Sequence, residues 1–374
     1  MSIIKNKLIR LVFQSEGEKM SKIVLTGGGT AGHVTPNLAL LPALNKEGFE
    51  ITYVGSYDGI EKQLATDQGL NYVGVATGKF RRYLDVKNLT DPFKVVKGFN
   101  EAKTFLKDYM PDVVFSKGGF VSVPVVRAAA ALKIPCIIHE SDMTPGLANK
   151  LCYGAAKKVC CNFPETVSKL PAGKAVHTGT PIRAELFTGD AARGKAFCGF
   201  TDDKPVLMVT GGSLGAVAVN KALREALPLL LPKFNVCHLC GKNKKDETLE
   251  GTKGYVKFEY IKDEMKDLFA MADVIISRAG ANAICEIVAL KKPNILIPLP
   301  AKSSRGDQLL NAESFASQGY SKVLDQDTLT PELLTDTVCA VYEDRDSYIH
   351  AMEKSSMQNA IPVIISLIKN TIGK

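Results

Sequence analysis

His33 closes a glycine-rich run, Gly27-Gly-Gly-Thr-Ala-Gly-His33, that follows the apolar stretch Ile23-Val-Leu-Thr26. An imidazole has an unperturbed pKa of about 6.5, so a histidine at the mouth of such a loop suits a general base. The other reading is a histidine that merely caps or packs the start of a helix. A second chemical stretch is Asp273-Val-Ile-Ile-Ser-Arg-Ala-Gly-Ala-Asn-Ala-Ile-Cys-Glu286, which reads as a strand, a small-residue turn and a helix. Small side chains at Ala279 to Ala281 let a ligand lie against the backbone. Glu286 shares a helical face with Asn282, four residues earlier. A carboxylate held one turn into that helix can accept both hydroxyls of a ribose; a solvated glutamate favoured by the helix dipole is the alternative.

The elements that must position these groups announce themselves twice. Ile23 to His33 and Val206-Leu-Met-Val-Thr-Gly-Gly-Ser-Leu-Gly215 are each an apolar run opening into a glycine loop and then a helix-like segment. Such loops bare backbone N–H groups at a helix N-terminus, where phosphate is the natural guest. The repetition implies an α/β chain of two Rossmann-like, doubly wound parallel-sheet domains facing a cleft into which His33 points. In the first domain, residues 20–180, a helix is expected over Pro36–Leu44. Strands are expected at Ile51–Val54, Val113–Phe115 and Pro135–His139, with a helix at Val125–Leu132. Gly179-Thr-Pro181 reads as the link to the second domain, residues 181–374. That domain places strands at Val236–Leu239, Val256–Tyr260, Asp273–Ile276 and Asn294–Ile297, and helices at Asn220–Leu230, Ala281–Lys291 and Asp307–Ser317. Ile361, Ile364, Ile365 and Ile368 form one apolar stripe near the C-terminus, able to pack on either domain. The first loop is not a dinucleotide fingerprint, because Ile51-Thr-Tyr-Val-Gly55 supplies no acid to grip a ribose.

Composition narrows the class. The chain has 374 residues, 45% hydrophobic and 23% charged, the profile of a folded globular protein with room for two cores. No apolar run reaches the roughly 18 residues needed to cross a bilayer. A net charge of +8 suits anionic lipid, phosphorylated substrates or nucleic acid without choosing among them. Nine cysteines read as reduced thiols of a cytosolic protein. Cys237-His-Leu-Cys240 has metal or redox spacing but lacks a second pair and sits in an apolar run, which favours a core strand. Residues 1–19 fit poorly. Ile4, Leu8, Leu11 and Val12 with Lys5, Lys7 and Arg10 can form a membrane-surface helix, while Met20-Ser-Lys leads straight into the first strand and is the expected true start.

Taken in order, the motifs resemble those of the bacterial lipid I N-acetylglucosaminyltransferases, the MurG family, with the GT-B glycosyltransferase fold. They are Gly28-Gly-Thr-Ala-Gly-His-Val34, Lys117-Gly-Gly-Phe-Val-Ser122 and His139-Glu-Ser-Asp-Met-Thr-Pro-Gly-Leu-Ala-Asn-Lys150. Thr180-Pro-Ile-Arg183, Gly211-Gly-Ser-Leu-Gly-Ala216, Ser277-Arg-Ala-Gly280 and Asp307-Gln-Leu-Leu-Asn-Ala312 follow. The resemblance implies inverting transfer of GlcNAc from UDP-GlcNAc to the 4-hydroxyl of MurNAc in undecaprenyl-pyrophosphoryl-MurNAc-pentapeptide, lipid I, giving lipid II for peptidoglycan. It implies a peripheral enzyme on the cytoplasmic face of the cell membrane, meeting an anionic lipid surface, with no nucleic-acid partner. His33 becomes the base. The donor site falls on Thr30, Ala31 and Gly32, on Arg183 and Ser213 near the diphosphate, and on Ile261 at the uracil. Ala281, Asn282, Ala283, Ile284, Cys285 and Glu286 line the nucleoside, and Gln308 holds the sugar hydroxyls.

Two positions depart from the family pattern. Asp142 stands where the best-known members carry asparagine, which adds a charge and removes a donor from a substrate contact. Ala31 replaces a glycine of the first loop. UDP would leave against loop N–H groups, the helix after Gly211, Ser213 and Arg183, so neither metal nor other cofactor is expected. Asp325-Gln-Asp327 and Asp344-Arg-Asp346 read as solvated acids. Phe80, Arg81 and Arg82, with Pro92-Phe-Lys94, combine cations and rings in a candidate membrane contact. Three rivals remain: a UDP-GlcNAc epimerase, whose additional carboxylates find no place here; a nicotinamide dehydrogenase; and a sugar-nucleotide binding module without turnover.

Overall fold

The alternation of short aliphatic runs with longer helical segments builds two parallel sheets in the computed structural model, which describes residues 20–78, 87–212, 215–303, 306–355 and 360–374. The first sheet contains β1 (Lys22–Thr26), β2 (Glu50–Ser56), β3 (Asn71–Val75), β4 (Val113–Ser116), β5 (Cys136–Glu140), β6 (Lys158–Cys161) and β7 (Ala175–His177). Its order is β3-β2-β1-β4-β5-β6-β7. The second contains β8 (Val206–Thr210), β9 (Asn235–Leu239), β10 (Tyr255–Phe258), β11 (Val274–Ser277), β12 (Asn294–Leu296) and β13 (Lys322–Val323), ordered β10-β9-β8-β11-β12-β13. Both repeat the doubly wound order, reversing direction beside their first strand. In each, the crevice at that reversal lies beyond the strands' carboxyl ends. The loops after β1 and β4 flank it in the first sheet, those after β8 and β11 in the second.

Strand side chains are buried on both faces, as covered parallel sheets require. Ile23, Leu25, Tyr53 and Phe115 enter one core, while Val24, Val54, Val114 and Ile138 enter the core on the opposite face. The C-terminal helix Ile361–Ile372 settles the open question about its stripe: Ile364, Ile365 and Ile368 join the cluster of Ile23, Leu25 and Leu44. The first compact unit therefore runs to Pro181 and takes in that helix, and the second begins at Ile182. The helix expected over Pro36–Leu44 is broken into Thr35–Ala39 and Leu41–Lys46. Pro42, lacking an N–H, cannot continue the ladder through Leu40. The Cys237-His-Leu-Cys240 run is strand β9 and its exit, both thiols buried, and all nine cysteines are free.

The glycine loop after β1 rests on a buried acid. Glu61, in the first turn of the helix Ile60–Asp67, is 0% exposed. Its Oε2 accepts from the Gly29 N–H at 3.1 Å, and its Oε1 from the Ser56 N–H at 3.1 Å and from the Ser56 hydroxyl. A side chain at Gly28 would meet this carboxyl, its Cβ falling 2.5 Å from Glu61 Cδ. Asn37 Nδ2 and the Tyr53 hydroxyl brace the loop's entry by donating to the carbonyls of Thr26 and Gly27 at 3.0 and 2.7 Å.

The second loop rests on a buried histidine. Asn220 donates Nδ2 to the Cys240 carbonyl at 2.8 Å, so its oxygen faces His238 and accepts from Nε2–H at 3.0 Å. His238 Nδ1 then accepts from the Tyr255 hydroxyl at 2.9 Å. The Cys240 carbonyl in turn lies where a Cβ at Gly215 would fall, 2.0 Å away.

Two outcomes are expected. Glu61→Gln must turn its amide NH2 toward either the Gly29 or the Ser56 N–H and should cost about 1–3 kcal/mol, read as a lower urea midpoint; an unchanged midpoint would show that the loop does not need both acceptors. Burial, reinforced by Arg224, lowers the His238 pKa from 6.5 to about 3. Between those values the unfolded chain binds the proton and the folded chain does not, so stability is complete above about pH 6.5 and falls on acidification. At about pH 5.5 the loss is roughly 1.4 kcal/mol. Urea unfolding at about pH 7.5 and 5.5 should show that drop shrinking in His238→Gln.

Candidate active site

In the first unit, the chain leaves β1 through the glycine loop and turns once as a 3-10 helix, Ala31–His33, with Thr30 extended before it. His33 therefore ends a tight turn instead of opening a regular helix. Thr30 is exposed, while Ala31, Gly32 and His33 are half-buried. The Nδ1 of His33 lies 3.1 Å from the Lys117 carbonyl, which can only accept. That partner places the proton on Nδ1 and makes Nε2 the basic nitrogen, the tautomer a general base needs. Gly119 fixes how close the two loops come. Its φ is +81°, and a Cβ there would fall 2.3 Å from the Gly28 carbonyl and 3.1 Å from His33 Cδ2.

The Asp142 loop is built on the same floor. Glu140, buried at the end of β5, accepts through Oε1 from the N–H groups of Ser141 and Asp142 at 3.0 and 3.4 Å. Its Oε2 accepts from Gly146 N–H and Asn149 Nδ2, both at 2.9 Å. Burial pushes the Glu140 carboxyl above the usual carboxylate range, and the neighbouring Asp142 charge adds to this against the pull of its donors. Beside it, Lys117 Nζ is wholly buried and donates to Ser141 Oγ at 2.9 Å. Lys117 thus touches both the His33 turn through its carbonyl and the Asp142 loop through its amine.

In the second unit, β11 leads through Arg278-Ala-Gly280 into the helix Ala281–Ala289. Arg278, almost buried, ties the sheet's end together, donating Nη1 to the carbonyls of Ile297 and Pro298 at 2.9 and 3.2 Å and Nη2 to Gln326 at 2.6 Å. Asn311 donates to the Ala279 carbonyl at 3.2 Å and so holds the turn from the neighbouring helix. Glu286 meets Arg183 by a two-pronged pair, Nε to Oε1 at 3.2 Å and Nη2 to Oε2 at 3.5 Å. Burial raises the Glu286 carboxyl above its ordinary value while Arg183 pulls it down. Gln308, on the helix Asp307–Ser317, accepts the Leu299 N–H at 3.1 Å through Oε1, which turns its amide nitrogen the other way. Ile261 is half-buried in the loop after β10.

Thr30, Ala31, Gly32, His33 and Asp142 are thus gathered in the first unit, and Arg183, Ile261, residues 281 to 286 and Gln308 belong to the second. Of residues 281 to 286, Ala281, Ile284 and Cys285 are 5%, 1% and 4% exposed, so that part of the helix can offer a ligand little more than its backbone. Helical turning leaves Asn282, Ala283 and Glu286 on the outer face. Ser213, Phe80, Arg81 and Arg82 lie outside the described residues, as do residues 1–19. Asp325 caps a 3-10 turn, its Oδ1 accepting the Asp327 N–H at 2.9 Å, and Asp327 pairs with Lys302 at 2.7 Å. Among the described residues, no group of three or more His, Cys, Asp or Glu could hold a metal ion. Glu61, Lys117, Glu140 and Asn311 had no assigned role in the sequence reading. Only the charged residues' proximity to glycine-rich turns could have drawn attention to them.

Comparison with known proteins follows the same two-unit division. Residues 23–161 match the glycosyltransferase family 28 N-terminal domain and residues 206–368 its C-terminal domain. A Lachnospira eligens protein named UDP-N-acetylglucosamine--N-acetylmuramyl-(pentapeptide) pyrophosphoryl-undecaprenol N-acetylglucosamine transferase is 60% identical over 351 residues, covering 94% of this chain and 99% of that protein. The protein of the same name from Lachnoclostridium phytofermentans is 60% identical over 350 residues, with the same coverage. Among solved structures, Acinetobacter baumannii MurG superposes with a TM-score of 0.73 at 28% identity, covering 94% of this chain and 99% of that one. The chain belongs to glycosyltransferase family 28, within its MurG group of N-acetylglucosaminyltransferases.

Proposed function

We propose that this chain transfers N-acetylglucosamine from UDP-GlcNAc to the 4-hydroxyl of the MurNAc sugar of lipid I, giving lipid II. Kinship along both domains with enzymes of that name carries the reading. It sets aside the dehydrogenase and the binding module, and a sugar-nucleotide epimerase lacks the lipid acceptor that the relatives' name specifies.

The residues supply a single in-line displacement. His33 Nε2 takes the proton from the acceptor hydroxyl, whose oxygen attacks the anomeric carbon. The bond from that carbon to the β-phosphate oxygen breaks on the opposite face, so an α-linked donor yields a β-linked product. The imidazolium then returns its proton to solvent. UDP leaves with growing negative charge, met by the N-terminus of the helix Val217–Leu230, by Ser213 and by Arg183. A guanidinium has five N–H donors in a fixed fork. Pairing with Glu286 occupies those on Nε and Nη2, so one arginine can orient the ribose acceptor while serving phosphate. Asn282, Glu286 and Ile261 take the nucleoside, Gln308 the sugar hydroxyls, and Thr30, Ala31, Gly32 and Asp142 complete the sugar's surroundings. Asp142, a carboxylate in place of the family's amide, offers acceptors to hydroxyls or to an amide N–H.

Among the described residues no helix is long and apolar enough to cross a membrane. A peripheral attachment at the cytoplasmic face suits the lipid acceptor. Its surface lies on the helices Lys87–Tyr109 and Leu147–Cys152, where Phe93, Val96, Leu147 and Leu151 are 77%, 60%, 53% and 48% exposed. Val96 and Leu151 border a groove of about 440 Å³ with Phe99, Val123 and Arg127, and Lys94, Lys97 and Lys150 on the same two helices are exposed. Apolar groups ringed by cations suit anionic headgroups.

Radiolabelled UDP-GlcNAc with a short-chain lipid I analogue should give labelled disaccharide product, with or without EDTA. His33→Ala should cut that turnover roughly 10²- to 10⁴-fold with near-normal UDP binding, and undiminished turnover would remove the base assignment. Phe93→Ser with Leu151→Ser should weaken flotation with anionic liposomes while leaving turnover of the soluble analogue intact; equal flotation would clear that surface.

A further inference from the structure

Lys117 is wholly buried, and its amine lies among side chains to which the transfer reaction gives no role. Its Nζ donates to His139 Nδ1 at 2.9 Å, to Ser141 Oγ at 2.9 Å and to Thr180 Oγ1 at 3.2 Å. An ammonium has three N–H donors, and three acceptors surround it. His139 is prepared for the role. Its Nε2–H donates to the Gly179 carbonyl at 2.8 Å, which leaves Nδ1 as an acceptor. Burial and the adjoining lysine charge hold this imidazole neutral, its pKa well below the usual histidine range. Taking an ammonium out of water costs several kcal/mol even when it is paired. A methionine would fill much the same space without that cost.

What the amine anchors is the backbone that holds the base. The Lys117 N–H donates to the Thr26 carbonyl at 3.0 Å, at the last residue before the glycine loop. The Lys117 carbonyl accepts from His33 Nδ1 at 3.1 Å. The next two residues, Gly118 and Gly119, have φ of +85° and +81° and supply no side chain to resist rotation. On that side the Gly118 N–H, donating to Ser116 Oγ at 3.1 Å, steadies the same peptide plane. A carbonyl followed by two glycines needs a fixed point, and the buried amine provides one.

We propose that Lys117 is a positioning residue for the catalytic base: its anchored side chain orients the carbonyl that holds His33 in the Nδ1–H tautomer, leaving Nε2 to receive the acceptor's proton. This rests on the transferase reading for its consequence, though not for the tautomer itself. Removing the amine frees the carbonyl and lets His33 sample the other tautomer, which presents a donor where an acceptor is needed.

The test pairs kinetics with nitrogen NMR of histidine-labelled protein. In the unsubstituted chain, His33 should show a protonated Nδ1 and an unprotonated Nε2 once deprotonated. An Nε2–H signal there would overturn the proposal whatever any variant does. Lys117→Met should convert His33 to a tautomer mixture. It should lower kcat about 10- to 100-fold, part of the roughly 10²–10⁴ a positioned base contributes, with KM for UDP-GlcNAc within about twofold. An unchanged tautomer and kcat in folded Lys117→Met would overturn it. If that variant does not fold, Ser141→Ala and Thr180→Val each remove one acceptor and should shift the tautomer signal part of the way. No shift in either would count equally against it. Full turnover in His33→Ala would instead sink the transferase base, with the tautomer measurement still deciding the role of Lys117.

Discussion

Everything chemical in this chain depends on where two parallel strands part company. β1 pairs with β2 on one side and β4 on the other, and β8 does the same with β9 and β11. Right-handed crossovers on either side of such a first strand carry the chain to opposite faces of the sheet. The loops that leave β1 and β4 are therefore forced together with no helix between them, and so are those leaving β8 and β11. Glycine is needed there for space. At Gly119 the backbone of one loop lies against the carbonyl and imidazole of the other, and any side chain would push them apart. The fold makes the crevice, and glycine keeps side chains from filling it.

Crowded backbone brings a second demand. Loops at the sheet's end expose N–H and C=O groups that no strand partner satisfies, and an unsatisfied buried group costs about 1–3 kcal/mol. The chain meets the demand with buried side chains of matching polarity. Glu61 and Glu140 accept from clusters of N–H groups; Asn37, Asn220, Asn311 and Arg278 donate to carbonyls. Histidines are used in one protonation state only. His238 and His139 are both driven toward the neutral form, chiefly by burial, and each accepts on one nitrogen and donates on the other. His33 differs in being half-buried, at the edge of this framework.

The sequence made legible what periodicity and glycine encode. Both glycine loops, most strands and the helix Asp307–Ser317 lie where the apolar runs and turn residues put them. Of the edge strands, β10 was expected while β3 and β13 escaped. β3 begins at an exposed Asn71 and carries a glycine, and β13 has only two residues, so neither shows a run of apolar residues long enough to read. The break at Leu40 escaped because Leu38, Leu40, Leu41 and Leu44 keep a helical rhythm straight through Pro42. The isoleucine stripe declared that the last helix packs but not on what, since an aliphatic face carries no address. The buried charges were the hardest. A lysine or glutamate in a sequence is solvated by default, and only the tertiary structure shows that Lys117 and Glu61 are enclosed.

The Arg183–Glu286 pair follows the same economy in the second unit. Burial alone would drive the Glu286 carboxyl toward its protonated form, and a protonated acid is a poorer acceptor for two hydroxyls. Arg183 opposes that shift, while Glu185, whose carboxylate lies 3.7 Å from Arg183 Nη1, bears on the same group from its exposed side. Arg183 thereby works against burial on the Glu286 carboxyl. Exchanging arginine for lysine there would keep a positive charge but lose the fork that lets one side chain face both partners. The pair joins residues more than a hundred positions apart in sequence, so nothing in the local pattern of either stretch announces it.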